Sequence, residues 1–304
     1  MMNNQAWRAI WPYLSCPYEL FLHVFYNKLT LKWRLWGSTI VGFFLCAGAQ
    51  GAQYSGTLGK LPITFQLDEG AALYFYDRYR TPIDLDSAPS VGQNALLFIE
   101  TNAEGKPVGE FHLQVNGQRL VGYWCNVKTH QHLSVHLKPS TDPRGVIQSS
   151  SFKNRYIRVK CLQGGAQMMM IDKSSDQLSQ QLMVESSACQ SMYNVVVGDY
   201  NFDGFADFST SGQYFAGPNT TRNYYLYQPQ KKQYRFNQAL SMLVTLSFNQ
   251  QSKIVTSTNQ CCAGRSISVD HYRWQANELK QVDGVCYKRN DDGELVAKAR
   301  KACY

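Results

Sequence analysis

The chain has 304 residues, of which 44% are hydrophobic and 17% charged, with 19 Tyr and 15 Phe. A chain of this size and polarity can bury one large core or two modest ones, and without an acidic or basic block it does not read as a disordered protein. Its formal charge of +8 is scattered and forms no stripe, which argues against nucleic acid as a partner.

Residues 1–52 read as a signal peptide. Lys28, Lys32 and Arg34 precede an uncharged run from Leu35 to Ala47, and small residues follow at Ala47-Gly48-Ala49 and Gly51-Ala52. That order (basic, apolar, small) is the one export signals use. The apolar run is shorter than the roughly 20 residues of a spanning helix, so a membrane anchor is the rival reading, held only if the signal stays uncleaved. Residues 1–27 make the leader over-long. Cys46 lacks the small residue expected before a lipidated cysteine. Removing 1–52 takes away four basic residues and one acidic, which lowers the charge from +8 to +5.

From residue 53 to about 140 short strands succeed one another. Ile63, Phe65 and Leu67 alternate with polar neighbours, as do Phe111, Leu113 and Val115, and Asn116-Gly117 marks a hairpin turn. Leu133, Val135 and Leu137 alternate again. The polar stretch 141–154 reads as a linker and 155–304 as a second β domain. There a short helix is expected at 176–183, where Leu178 and Leu182 lie four apart. Strands are expected at Tyr193–Val197, Tyr224–Tyr227, Leu243–Phe248, Lys253–Thr256, Asp270–Trp274 and Glu278–Val282. The fold class is therefore mainly β: two antiparallel modules (sandwich, small barrel or propeller-like) with few short helices.

Seven of the nine cysteines follow the leader, and in an oxidising compartment they read as disulfides. Cys286 and Cys303 suit a C-terminal staple. Adjacent Cys261 and Cys262 point to opposite sides of an extended chain and so are expected to find different partners. An odd number leaves one thiol free or intermolecular.

The most informative stretch is Asp199-Tyr-Asn201-Phe-Asp203-Gly204-Phe205-Ala-Asp207. Calcium takes six to eight hard oxygen ligands. Side chains of Asp199, Asn201, Asp203 and Asp207, with the Phe205 carbonyl, supply them at calcium-loop spacing, and Gly204 permits the sharp turn. The flanks look like strand, and Thr210 stands where an EF-hand has its bidentate Glu, so this is a shorter, structural type of loop. The plainer alternative is an Asp-Gly turn whose side chains satisfy local backbone donors.

Other constellations are weaker. His130, His132 and His136 share a polar face, but His132 and His136 lie roughly 13 Å apart on a straight strand and cannot share a metal. Asp84, Asp86, Glu100 and Glu110 are carboxylates without a fixed separation. No nucleophile-elbow, zinc-protease or phosphate-loop motif occurs, so no catalytic residue is assigned and an enzyme is not expected. Two small, polar stretches, 209–223 and 257–266, read as recognition loops, with Tyr214, Arg222, Ser257 and Arg265 as partner-binding candidates.

The calcium motif, Tyr224-Tyr-Leu-Tyr227, Phe236-Asn-x-x-Leu240-Ser-x-Leu243, Lys253-Ile-Val-Thr-Ser257 and Tyr272-Arg-Trp274 before Glu278-Leu279 occur in an order and spacing that resembles a periplasmic calcium-binding β family. That family includes immunity proteins that inhibit lysozyme-like effectors of type IV secretion systems. The resemblance covers about 195–282. More weakly, residues 53–137 resemble a β module of secreted bacterial lysozyme-inhibitor-like proteins, through Tyr54-Ser-Gly-Thr-Leu-Gly-Lys-Leu-Pro-Ile63, Tyr74-Phe-Tyr76, Ile83-Asp-Leu85 and Gly122-Tyr-Trp124. It implies a periplasmic or secreted calcium-stabilised protein that binds another protein, with a lysozyme-like muramidase as the named partner. Cys261, Cys262 and Arg265 depart from the small-residue loop with which such inhibitors enter a cleft, and a charge of +5 is unfavourable against basic lysozymes. The alternative is a structural or glycan-binding envelope protein; a carboxylate hydrolase is a third. The sequence does not fix the oligomeric state.

Overall fold

A computed structural model describes residues 52–304 except 69, 190, 215, 216 and 304, and of Ser186 and Tyr214 only the backbone. The leader therefore lies, but for Ala52, outside the described residues. The chain is mainly β and divides into two compact units. One runs to Tyr74 and resumes over Asp84–Ser140; the other joins Phe75–Ile83 to Thr141–Tyr304.

The first unit holds a closed eight-stranded barrel in chain order. Its strands are β1 (Ala52–Leu58), β2 (Leu61–Asp68), β3 (Ala71–Tyr76), β4 (Ile83–Ala88), β5 (Ala95–Thr101), β6 (Pro107–Asn116), β7 (Arg119–Asn126) and β8 (His132–Pro139). Closure comes from β1, which pairs with β2 on one side and with β8 on the other, Gly56 facing Leu137. Only glycine suits that position, since a Cβ there would sit 1.9 Å from the His136 carbonyl oxygen. Strand alternation sends Ile63, Phe65, Phe111, Leu113, Val135 and Leu137 inward, all of them buried. Phe65 packs edge-on against Phe98 and Phe111 at 6.0 and 5.7 Å between ring centres.

The second unit contains three antiparallel sheets. The first comprises β9 (Val146–Ile147), β10 (Arg155–Leu162), β11 (Gly165–Asp172) and β12 (Leu178–Val184). The second comprises β13 (Val196–Gly198), β14 (Asp207–Tyr214), β15 (Thr220–Gln228) and β16 (Gln233–Asn237), after which Gln238–Ser241 form one helical turn, α1. The third comprises β17 (Leu246–Asn249), β18 (Ile254–Cys261), β19 (Ser266–Gln275), β20 (Glu278–Arg289) and β21 (Leu295–Ala299). Because side chains alternate along a strand, the middle sheet serves two cores. Phe208, Tyr225 and Tyr234 join Ile157, Val159, Met168 and Met170 of the first sheet. Tyr224 and Leu226 join Val255, Phe248, Tyr272 and Trp274 of the third. Successive meanders are stacked face to face, as in propeller blades.

Five expectations are corrected, the last being the thiol left over by an odd cysteine count. Residues 178–184 form β12, because the four-residue spacing of Leu178 and Leu182 also satisfies a period of two, and pairing with β11 decides for strand. The stretch 141–154 is no linker: β9 lies in it, and Gln148 and Phe152 are buried. Residues 257–261 continue β18, so the expected loop shrinks to the turn Cys262–Gly264. Within that turn Cys262 and Ala263 adopt positive φ, which breaks the extended alternation and lets Cys261 bond Cys262. Cys161–Cys189 and the expected Cys286–Cys303 are the other pairs, and Cys125 is disulfide-bonded too, so no described cysteine has a free thiol. Among the described residues no helix is long and apolar enough to cross a membrane.

Candidate functional site

The acidic loop connects two antiparallel strands, β13 and β14, whose last pair is Gly198 with Asp207. The flanks are thus strand, as the sequence indicates. Two turns of the backbone are unusual: Phe202 has φ +61° and Gly204 φ +87°. Nothing approaches within 4 Å of the position a Cβ would take on Gly204, so this glycine serves conformation alone.

The loop is knitted by its own carboxylates. Asp199 accepts from the Asp203 N–H at 3.1 Å and the Gly204 N–H at 2.9 Å. Asp203 accepts from the Phe205 N–H at 2.9 Å and from the Asn201 amide at 2.8 Å. Asp207 is fully buried, and both its oxygens are used: Oδ2 accepts from the Tyr200 N–H at 2.9 Å and Oδ1 from the Tyr227 N–H at 2.8 Å. It therefore ties the loop to β15. Burial, reinforced by the negative charges of Asp203 and Asp199, pushes the Asp207 carboxyl up to about 7 against the pull of those two N–H donors.

The third sheet holds the loop from the other side. Trp274 Nε1 donates to the Tyr200 carbonyl at 3.0 Å, and the Gln250 amide to the Asp199 carbonyl at 2.8 Å. The Tyr200 ring is wedged between Tyr224 and Phe248, with ring centres at 4.9 and 4.8 Å. Residues 74 positions apart thus meet at the loop, which gives a physical reason for the calcium motif and Tyr272-Arg-Trp274 to occur together.

Among the described residues no three His, Cys, Asp or Glu side chains converge on one point as metal ligands do. The donor set nevertheless suits a hard cation. Every candidate oxygen belongs to a carboxylate, an amide or a backbone carbonyl. No described Lys, Arg or His pairs with Asp199, Asp203 or Asp207. Asp203, Gly204 and Phe205 are exposed, so that side of the loop is open.

The proposed partner residues do not share one role. Ser257 is 5% exposed and donates to the Val244 carbonyl, so it is a core residue. Arg222 is spent internally on Ser209 and the Asn194 carbonyl. Arg265 is exposed beside the Cys261–Cys262 turn. Tyr214 ends β14, and its side chain lies outside the described residues.

In the barrel, register puts Glu100 opposite Gly109 and Glu110 opposite Ile99, so these two carboxylates point to opposite faces. Glu100 accepts from Tyr74 and Trp124, Glu110 contacts His112, and Asp84 and Asp86 are exposed on either side of buried Leu85. His132 and His136 share the outer side of β8, with His130 in the preceding turn at φ +55°. His132 and His112 flank the Tyr123 ring at 4.9 and 4.8 Å.

No protein family matches the sequence, and no curated protein does. Among solved structures the chain is similar to a Xanthomonas type IV secretion system related protein, with 13% identity over 81% of this chain and 92% of that one, at a TM-score of 0.30. It is also similar to a putative 6-phosphogluconolactonase from Bacteroides fragilis (8% identity, 82% and 81% covered, TM-score 0.25). A third likeness is to the β-propeller domain of the Trilobed protease from Pyrococcus furiosus (8%, 82% and 71%, TM-score 0.21). At these TM-scores the likenesses carry no argument about function.

Proposed function

We propose that this is an exported, non-enzymatic binding protein whose second unit is stabilised by calcium at the 199–207 loop. The observation that carries the reading is the loop's charge. Three carboxylates occupy nine residues, one of them buried, and no cationic side chain among the described residues answers them. A divalent cation is the compensating charge such a loop lacks. Asp199, Asn201, Asp203 and Asp207 with the Phe205 carbonyl would hold it, once Asn201 and exposed Asp203 give up their mutual hydrogen bond. Bound calcium supplies positive charge and cross-linking; the chain supplies the brace, through Tyr200, Trp274 and Gln250. Disulfides suit a periplasmic or secreted location.

The partner in this proposal is another protein, and the sequence resemblance names its class as a lysozyme-like muramidase. Exposed Arg265 is the one partner candidate the fold leaves at the surface with a described side chain. The test is inhibition of a panel of muramidases by the full chain, in calcium and in EGTA, with melting curves in parallel. The expected result is inhibition that weakens in EGTA, and a melting temperature raised by calcium as RT ln(1 + [L]/Kd), about 2.7 kcal/mol at a hundredfold excess over Kd. Absence of inhibition in folded protein sinks the muramidase reading. Absence of any calcium-dependent shift sinks the calcium reading.

A further inference from the structure

We infer that an open groove beside the acidic loop is a binding site for an oligosaccharide. The groove measures about 960 Å³ and lies wholly within the second unit, at the upper end of the size range of small-ligand sites. Its apolar lining is mainly aromatic, with Phe205, Tyr227, Phe236 and Trp274 beside Leu226 and Pro229. Phe205 and Phe236 are 45% and 47% exposed, so burial in a core does not account for them. Half-exposed rings offer flat apolar faces, and the C–H face of a pyranose is the complementary surface.

The polar lining makes the choice of ligand. Asn201, Gln228, Asn237, Gln238 and Asn277 are primary amides. Each donates and accepts hydrogen bonds at once, as a sugar hydroxyl or acetamido group does. The charged groups at the groove, Asp203 against Lys231 and Arg235, are of mixed sign. A phosphate-rich ligand would call for several cations in one place; this lining suits an uncharged or weakly charged chain. The site is physically joined to the loop, since the Tyr227 N–H that holds Asp207 belongs to a groove residue. The other occupant to be separated is a protein segment adding a strand to β16, the edge of the middle sheet.

The test is calorimetric titration of the full, calcium-equilibrated chain with chitotetraose, maltotetraose and a muramyl-containing peptidoglycan fragment. Binding of at least one is expected, weakened tenfold or more by Phe236→Ala and by Phe205→Ala, and several-fold by Gln238→Ala. All three side chains are exposed, so the variants should melt close to the parent. No saccharide binding by folded protein would overturn the inference, as would binding indifferent to both phenylalanine variants. So would loss of muramidase inhibition in those variants without saccharide binding by the parent, which would make the groove a protein-docking face. Calcium binding is scored separately by melting shift, so this inference and the calcium reading can fail independently.

Discussion

Asp207→Asn tests the loop most directly. The substitution keeps the shape of the side chain, but one oxygen becomes an NH₂ facing a backbone N–H, that of Tyr200 or of Tyr227, each now held at 2.8–2.9 Å. A buried donor left unsatisfied costs about 1–3 kcal/mol. Without calcium the change also removes a buried charge that Asp199 and Asp203 repel, so the net cost should fall at the low end, about 1 kcal/mol. With calcium one of three carboxylates is lost. If affinity falls by about ten- to a hundredfold, a further 1.4–2.8 kcal/mol or so disappears. For a unit of this size about 2–4 °C accompanies each kcal/mol. The assay is thermal melting of parent and variant in excess calcium and in EGTA. The gap between the two proteins should be several degrees wider in calcium. A gap of equal size in both buffers would refute the reasoning, because it would make Asp207 a backbone brace with no part in cation binding.

The Asp142–Arg144–Asp176 cluster predicts acid lability. Burial raises both carboxyls, but hydrogen bonds from Arg144, with Tyr156 on Asp176 and the charge of Arg158 near Asp142, outweigh it and hold both below the ordinary range. Groups with depressed folded pKa contribute stability that is present above about pH 4 and lost as pH falls through the folded values; Arg144→Met should flatten that loss in urea titrations from neutral to acid pH. Replacing Cys286 and Cys303, 17 residues apart, with serine should cost about 3 kcal/mol. Because the turn they staple carries Arg300 onto buried Asp270, hydrogen exchange should rise in β19 and β20 first; a uniform rise would count against this. In the barrel, Gly56→Ala should open the β1–β8 seam, read as lost amide protection in both strands, whereas unchanged protection would show that the strands part at little cost.

The sequence exposes strands wherever one face is apolar. Ile63-Phe65, Phe111-Leu113 and Leu133-Val135-Leu137 all lie on elements that their alternation indicates. The acidic loop is equally plain, since its spacing is local. What stays hidden depends on pairing. Leu178 and Leu182 satisfy both a helical and an extended repeat, and only the neighbouring β11 separates the two. Ser257 to Gln260 look like loop residues because they are polar, yet they pair with β19, and Ser257 shares a face with Ser268 and Asp270, all three buried. Closure of the barrel rests on the register of strands some 80 residues apart in sequence, and the Trp274–Tyr200 contact likewise spans a distance that no local pattern records. The groove follows from the same cause: its aromatic rings come from four separate segments.

Phe75–Ile83, which comprises the end of β3, the loop after it and the first residue of β4, belongs with the second unit. Phe75 packs its ring on Tyr156 at 5.5 Å, Thr81 accepts from Lys173, and Arg80 reaches Asp176. A cut at residue 140 would therefore not yield two self-sufficient halves. The downstream piece would lack the ring that covers Tyr156 and a cation that answers Asp176, and the upstream piece would carry Arg80 and Thr81 without the partners they contact. During synthesis Arg80 and Thr81 leave the ribosome some 90 positions before Lys173, and so before the partners they contact. The barrel's own chain thus contains the segment that the later domain needs to finish folding.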